Sequence, residues 1–454
     1  MGKARARRQK LLAEPPFTVQ IDNLSHEGRG VARRDGKAIF VEGALPGEEV
    51  RCLYTLRRSR HDEARVIEVL QAAPQRVEPR CAHFESCGGC SLQHLEPAAQ
   101  LALKQRWLLD SLTHIGKVQP EQVFEPMTGP TWGYRRRARL GVKWVEKKGR
   151  VLVGFRERHS AFLADIHRCE VLDERVGGLL EGLARLIEGL SIRDRIPQIE
   201  VAGGDAVIGL NFRVLASPSA ADLAQLRAFG EQHSLMLYLQ PGGLDSVQGL
   251  DPASLTSPPP NENGVLSYQL PDFDLDLEFQ PWHFIQINAA INRQLINRAC
   301  ELLDIGPTDR VLDLFCGLGN FTLALARRAR EAVGVEGDAS LVEWARRNAA
   351  HNGIDNAAFY AADLTRDVLD QPWRAGGYDQ ILLDPPRSGA LELLPIIAAL
   401  GARRIVYVSC HPATLARDVG ELAHRFGYRL IGAGVLDMFP HTTHVESLAV
   451  LERC

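Results

Sequence analysis

Arg310-Val311-Leu312-Asp313-Leu314-Phe315-Cys316-Gly317-Leu318-Gly319-Asn320-Phe321-Thr322 decides the fold. Its first residues read as a strand buried on both faces, the glycines as a turn and the residues after Asn320 as a helix start. Glycines at such a turn let the backbone approach a ligand closely, and the helix N-terminus supplies donors. The third glycine of a dinucleotide fingerprint is replaced by Thr322, and an acid, Asp313, precedes the turn. Three further β-type runs close on acids: Glu331 to Val335 before Glu336, Phe359 to Ala362 before Asp363, and Tyr378 to Leu383 before Asp384. A helix cap or loop salt bridge accounts for any one of these acids but poorly for the set. The pattern predicts an α/β sheet whose strand ends form a ligand rim.

The next run, in Arg404-Ile405-Val406-Tyr407-Val408-Ser409-Cys410-His411-Pro412-Ala413-Thr414, stops at Cys410, and Pro412 forbids its continuation. Alone, Cys410 reads as a small, inert, buried thiol. Beside four acids it sits on a cofactor rim. The acids and glycines match the pattern of a class I (Rossmann-like) methyltransferase using S-adenosylmethionine: Asp313, Gly317 and Gly319 near the amino-acid moiety, Glu336 at the ribose, Asp363 near the adenine. A thiol on that rim suits methylation of a pyrimidine at C5, a weak nucleophile until a thiolate adds to C6. A base must then take the C5 proton. Phe439-Pro440-His441-Thr442-Thr443-His444-Val445-Glu446-Ser447-Leu448 offers Glu446, with His441 and His444 as runners-up.

Upstream, the 454 residues are 45% hydrophobic and 24% charged, ordinary globular material with length for roughly two to four domains. No apolar run approaches a membrane span, and the basic N-terminus lacks a following apolar core, so a cytoplasmic protein with no membrane contact is expected. The nine cysteines are then expected as reduced thiols, ligands or nucleophiles rather than disulfides. The net charge of -3 hides two basic blocks, residues 1–10 and Tyr134 to Arg158, which suit a polyanion as well as a solvated face. Residues 1–14 read as a disordered arm. Short β-type runs from Phe17 to Val69, separated by turns such as Asp35-Gly36 and Pro46-Gly47, predict a small OB-like β-barrel. With Gly28-Arg29-Gly30-Val31-Ala32 and Phe40 to Glu48 it resembles a TRAM domain, an RNA-binding module.

Cys81, Cys87 and Cys90 form C-x5-C-x2-C, and Cys169 is the nearest candidate for a fourth ligand. Four thiolates suit zinc or a four-iron cluster, and the lack of a second C-x2-C pair favours the cluster. Helices are expected over Leu92 to Leu112, Asp165 to Ser191 and Ile287 to Leu303. Strands with exposed basic faces are expected at Tyr134 to Leu140 and Val151 to Phe155, and Ser257-Pro258-Pro259-Pro260 reads as a loop.

Ser409 to Thr414, Asp384-Pro385-Pro386-Arg387, Phe284-Ile285-Gln286-Ile287-Asn288 and His444-Val445-Glu446 resemble segments of the bacterial RNA uracil-C5 methyltransferase family. With the barrel and C-x5-C-x2-C, the resemblance covers nearly the whole chain. It is strongest to the branch acting on 23S ribosomal RNA that carries a TRAM domain and a 4Fe-4S cluster. It implies Cys410 as nucleophile and Glu446 as base, with Gln286, Phe315, Asn320, Glu336, Asp363 and Asp384 around S-adenosylmethionine. It also implies that residues 96–129 pack with the catalytic domain, so that the expected division is 15–73 as barrel, 74–95 and 130–280 as an iron–sulfur and RNA-binding middle domain, and 96–129 and 281–454 as catalytic domain; a monomer is expected. A transfer RNA uracil-C5 methyltransferase and a degenerate iron–sulfur RNA sensor are the alternatives. A cytosine-C5 enzyme would need a second thiol where Asp384-Pro385-Pro386 stands.

Overall fold

The computed structural model describes residues 14–250, 265–364 and 371–454. Most of the expected basic arm and the Ser257 to Pro260 loop lie outside these residues. The described residues form two compact units, one of residues 14–104 with Pro440–Thr443, the other of Gln105–Phe439 with His444–Cys454.

The first unit opens with six strands, β1 Phe17–Gln20, β2 Asn23–Leu24, β3 Gly30–Arg34, β4 Lys37–Glu42, β5 Glu49–Arg57 and β6 His61–Gln71, in the order β1-β5-β6-β4-β3-β2. Alternation along them turns Phe17, Val19, Ile39, Val41, Val50 and Cys52 into one core. The chain runs from β1 into β2 through Ile21 and Asp22, where Ile21 N–H donates to Glu48 O at 2.9 Å beside β5 and Asp22 N–H donates to Val31 O of β3 at 2.8 Å. The fully buried Glu48 accepts from Arg76 Nε at 2.5 Å and from Leu45 N–H at 2.7 Å. Burial alone would raise its pKa, but Arg76 and the backbone donors hold it below the usual carboxylate value. At the margin of this core Arg34 covers Phe17, Phe17 stacks on Tyr54 at 4.2 Å, and Arg57 covers Tyr54.

The helix expected from Leu92 starts instead at Pro97, whose fixed φ suits a first helical turn, and runs over Pro97–Ser111. In the second unit β7 Gln122–Val123 is followed by β8 Arg137–Val145, β9 Arg150–Gly154, β10 Gln198–Gly203, β11 Ile208–Arg213, β12 Leu235–Gln240 and β13 Gln248–Gly249. Six of these form a sheet ordered β13-β12-β11-β10-β8-β9. Only β11 and β12 are parallel, joined through the helix Ala220–His233. The single helix expected over Asp165 to Ser191 is not formed. Its place is taken by irregular chain and two short helices, Glu174–Gly177 and Leu180–Gly189, because Cys169 N–H donates to Gly177 O and the Cys169 carbonyl presses on Gly177 where a side chain would stand.

The basic run Tyr134 to Leu140 corrects a second expectation. Arg136 is only 4% exposed, and Arg137 turns inward to Glu200 at 3.0 Å. Arg139 alone among these three is well exposed, at 71%. This stretch is therefore largely structural rather than a solvated basic face.

After the hairpin β14 Leu266–Leu270 and β15 Leu275–Phe279 come β16 Arg310–Leu314, β17 Glu331–Glu336, β18 Ala357–Ala361, β19 Gln380–Leu383, β20 Arg404–Ser409, β21 Tyr428–Leu436 and β22 Glu446–Arg453. With β7 they make an eight-stranded sheet ordered β18-β17-β16-β19-β20-β22-β21-β7. The strands from β18 to β20 are parallel and almost wholly apolar, as strands covered on both faces must be. β22 runs antiparallel between β20 and β21. β7 pairs with β21 beside Gly432 and Gly434, where Phe124 packs so closely that any side chain would collide. Asn288 caps the helix Ala289–Leu303 by accepting from Ile291 N–H. The strand order reverses between β16 and β19, the place where open α/β sheets bind ligands.

Candidate active site

Pairing of Leu314 with Val335 and with Leu383 puts Phe315, Glu336 and Asp384 side by side at one sheet edge. Phe315 holds a left-handed φ of 68°, unusual for an aromatic residue, and donates its N–H to Val335 O at 2.9 Å. Gly317 and Gly319, with φ of 56° and 95°, complete the turn. Space beyond Gly317 is open to any added Cβ. Its N–H donates to Glu336 Oε2 at 3.1 Å, while Glu336 Oε1 accepts from Gly337 N–H at 2.7 Å. These donors fix the Glu336 carboxylate.

Asp313 is fully buried under the turn. It accepts from Thr322 Oγ1 at 2.5 Å, yet its other oxygen, Oδ1, is buried with no hydrogen-bond partner. Burial raises its pKa to about 7 despite the Thr322 bond. Asp384 is half-buried, and desolvation together with the Asp313 charge raises it to about 7 as well. Gln286 Nε2 reaches Asp384 Oδ2 at 3.5 Å. Asn320 Oδ1 accepts from Tyr268 OH at 2.8 Å and from Asn292 Nδ2 at 3.0 Å. Asp363 stands exposed, just past the end of β18.

Cys410 is the residue after β20 and Glu446 the first residue of β22. Ser409 pairs with Ser447, so Cys410 and Glu446 occupy the next position of that antiparallel ladder. Glu446 is 3% exposed, and burial followed by the Asp384 charge holds it well above the usual carboxylate pKa. Burial first, then Glu446 and Asp384, also raise the Cys410 thiol, against which Arg387 acts as a nearby cation and hydrogen-bond donor. Arg387 Nη2 lies 2.9 Å from His444 Nδ1. His411 caps the helix Pro412–Phe426, whose Pro412 occupies the first turn. The buried Asp418 accepts from Tyr407 OH at 2.6 Å and Ala390 N–H at 2.7 Å, tying the loop after Asp384 to β20.

The rim thus gathers Asp313, Phe315, Gly317, Gly319, Asn320, Glu336, Asp384, Gln286, Cys410 and Glu446. His441 belongs to the first unit, where its Nδ1 lies 3.3 Å from Gln100 Nε2. Arg136, Tyr268 and Asn292 carried no expected role in the site. Arg136 lies over Tyr268 and donates from Nε to Gln286 O at 2.9 Å, holding the Gln286 segment. Only Arg387, inside Asp384-Pro385-Pro386-Arg387, had a signal in sequence.

The four-cysteine set is not assembled in either unit. Cys81, Cys87 and Cys90 flank the turns of an irregular stretch of the first unit and Cys169 lies in the second, and among the described residues no three His, Cys, Asp or Glu side chains are grouped to hold a metal. Cys87 Sγ accepts from Gly89 N–H at 3.4 Å. Among the described residues no helix is long and apolar enough to cross a membrane.

The parallel sheet, the turn at its switch point and the acids at its strand ends define a Rossmann-like methyltransferase, preceded by a TRAM barrel: residues 267–454 match the family described as tRNA (Uracil-5-)-methyltransferase, and residues 17–55 match the TRAM domain. The chain is 58% identical to a protein of Alkalilimnicola ehrlichii named 23S rRNA (uracil(1939)-C(5))-methyltransferase RlmD, over 98% of this chain and 99% of that one. A protein of the same name from Methylococcus capsulatus is 51% identical, covering 99% of both chains. The solved Pyrococcus abyssi tRNA (uracil-54, C5)-methyltransferase, in complex with S-adenosyl-L-homocysteine, superposes with a TM-score of 0.71 at 25% identity, covering 96% of this chain and 99% of that one. The chain belongs to the RNA uracil-C5 methyltransferase family, in the branch named for 23S ribosomal RNA.

Proposed function

We propose that this protein methylates C5 of a uridine in 23S ribosomal RNA, the one its relatives' names specify, with Cys410 as nucleophile and Glu446 as base. The observation that carries the reading is the shared ladder position of Cys410 and Glu446 beside the Asp313–Glu336–Asp384 rim. S-adenosylmethionine, when bound, supplies an electrophilic methyl group. The open cradle at Gly317, the fixed Glu336 and the unpartnered Asp313 Oδ1 fit such a molecule, with Phe315, Gly319, Asn320, Asp363, Asp384 and Gln286 completing its site.

In this reading the Cys410 thiolate bonds to uracil C6, and the C5–C6 π pair becomes the nucleophile at C5. After C5 gains its methyl group, Glu446 takes the C5 proton. The C–H pair restores the double bond and expels the Cys410 sulfur. Arg387 favours the thiolate, and Arg136 acts as a positioning residue through Gln286. Both Cys410 and Glu446 must lose a proton to act, and both are held above their ordinary pKa. Turnover is therefore expected to rise with pH through neutrality, as a pH–rate profile at saturating substrates checks. A flat profile would remove either group from the rate-limiting chemistry.

The reading is tested with 5-fluorouridine, whose fluorine cannot leave as a proton does. With S-adenosylmethionine and 5-fluorouridine-containing 23S fragments, a covalent protein–RNA band dependent on Cys410 is expected on a denaturing gel. An equal or stronger band on transfer RNA would shift the substrate. No band on any RNA, with cofactor binding demonstrated, would retract the mechanism.

Cys81, Cys87, Cys90 and Cys169 we assign to a 4Fe-4S cluster, on the all-thiol donor set, the C-x5-C-x2-C spacing and the N–H directed at Cys87 Sγ. Protein purified without oxygen is expected to be brown and to contain iron, with colour and iron lost in Cys87→Ala. A colourless, zinc-bearing anaerobic preparation would overturn the assignment. The same reading keeps the domain division set out from the sequence, a single copy of the chain as the working unit and the cytoplasm as its place of action.

A further inference from the structure

We infer that the middle sheet carries its own nucleotide-holding groove, where β8 and β9 meet the hairpin after β9, for a single-stranded RNA segment flanking the target. The inference rests on the proposed RNA substrate and goes beyond the methyl-transfer site. The groove is a cavity of about 680 Å³, within the size range of small-molecule sites, between β8, β9 and the hairpin that follows β9.

That hairpin is anchored firmly. Arg156 pairs with Leu163, Glu157 N–H donates to Phe162 O at 2.9 Å, and Ala164 N–H donates to Phe155 O at 2.9 Å. Leu163 packs on the bare backbone of Gly141 and Ile166 on that of Gly154, places where any side chain would collide. Yet Phe162, near the tip, is 75% exposed at the cavity wall. A fixed loop that leaves a phenylalanine exposed presents a flat apolar surface that no other described residue covers.

Charge completes the case. Arg139, Lys143, Lys148 and Arg156 line the cavity against one acid, Glu157. Arg139 is committed to Glu200 and Lys148 to Asp165, but Lys143 and Arg156 form no ion pair among the described residues. An aromatic face flanked by uncommitted cations meets the two needs of a single strand, a stacking platform for a base and neutralisation of its phosphates. A neutral apolar peptide would satisfy the aromatic face but would leave two cations unmatched.

The experiment uses the full-length protein and a fluorescent 23S fragment holding the target uridine with its flanks, titrated by anisotropy over a range of salt. F162A is expected to weaken RNA binding and raise the RNA KM by about ten- to a hundred-fold, with F162W restoring both, because any π-face can stack. K143A/R156A is expected to flatten the log–log salt slope by roughly 1.4, about 0.7 for each single-strand phosphate contact. In both variants kcat at saturating RNA and S-adenosylmethionine affinity stay at wild-type values. Wild-type affinity and slope in both variants would overturn the groove while leaving the methyltransferase reading intact. A wild-type protein that binds no RNA would overturn both. Equal weakening by F162A and F162W would also refute the stacking role.

Discussion

Cys410→Ala is expected to lower uridine methylation by about 10⁴-fold or more, the scale on which loss of a covalent nucleophile acts in other enzymes. The substitution removes one sulfur from a half-buried position beyond the end of β20 and leaves the Ser409–Ser447 pairing untouched. Folding and S-adenosylmethionine binding should therefore persist, as thermal melting and calorimetric titration would read. Arg387 has no free pair to offer C6, and a carboxylate is a far poorer nucleophile there than a thiolate, so neither Arg387 nor Glu446 is expected to replace Cys410. A variant retaining more than about a tenth of wild-type turnover would sink the covalent route, because general acid–base groups alone would then be supplying the rate.

Glu446→Gln is expected to cost about 10²- to 10⁴-fold in turnover, the usual contribution of a positioned base. Unlike Cys410→Ala, it should leave a trace of its failure: a methylated adduct between Cys410 and ordinary, unfluorinated RNA. Glutamine keeps the shape but cannot take the C5 proton, so the sulfur cannot be expelled. Stability should move the other way. A carboxyl whose pKa is raised on folding favours the folded state below its ordinary pKa of 4.5, and loses that contribution as pH rises towards its folded value. Glutamine does not titrate, so the melting temperature of the variant relative to wild type should increase with pH. Loss of activity without any adduct would place the essential step before C5 deprotonation; undiminished turnover would transfer the base role to His444.

Much of this site is written locally in the chain. A buried strand followed by Gly317 and Gly319 can place Asp313 and Glu336 only at a sheet edge, and Pro412 ends the strand before Cys410 for a reason internal to proline. What sequence concealed depends on partners distant in the chain. Arg135 to Arg139 looks uniformly basic, but Glu200, some sixty residues on, draws Arg137 inward, and the Tyr268 ring covers Arg136. The helix expected over Asp165 to Ser191 has apolar residues at helical spacing, and it yields to the close meeting of Cys169 with Gly177. The Phe315 strain and the Tyr268–Asn320–Asn292 bonds leave no periodicity to read. The cysteines carry their signal in spacing alone, because Cys81, Cys87 and Cys90 belong to one unit and Cys169 to the other.

The pairing of β7 with β21 also has a history in time. Gln122 and Gly432 are about 310 positions apart, so at ordinary rates of synthesis the earlier strand leaves the ribosome roughly 15–60 s before its partner exists. Contacts of such long sequence separation are the slow ones in folding. The hairpin of β21 and β22 that completes this edge also delivers Glu446, so the nucleophile proposed here is made before the base proposed to release it. A nascent chain paused between β20 and β22 holds Cys410 without Glu446. In this architecture the sheet's closure and the arrival of Glu446 are one late event in the life of the polypeptide.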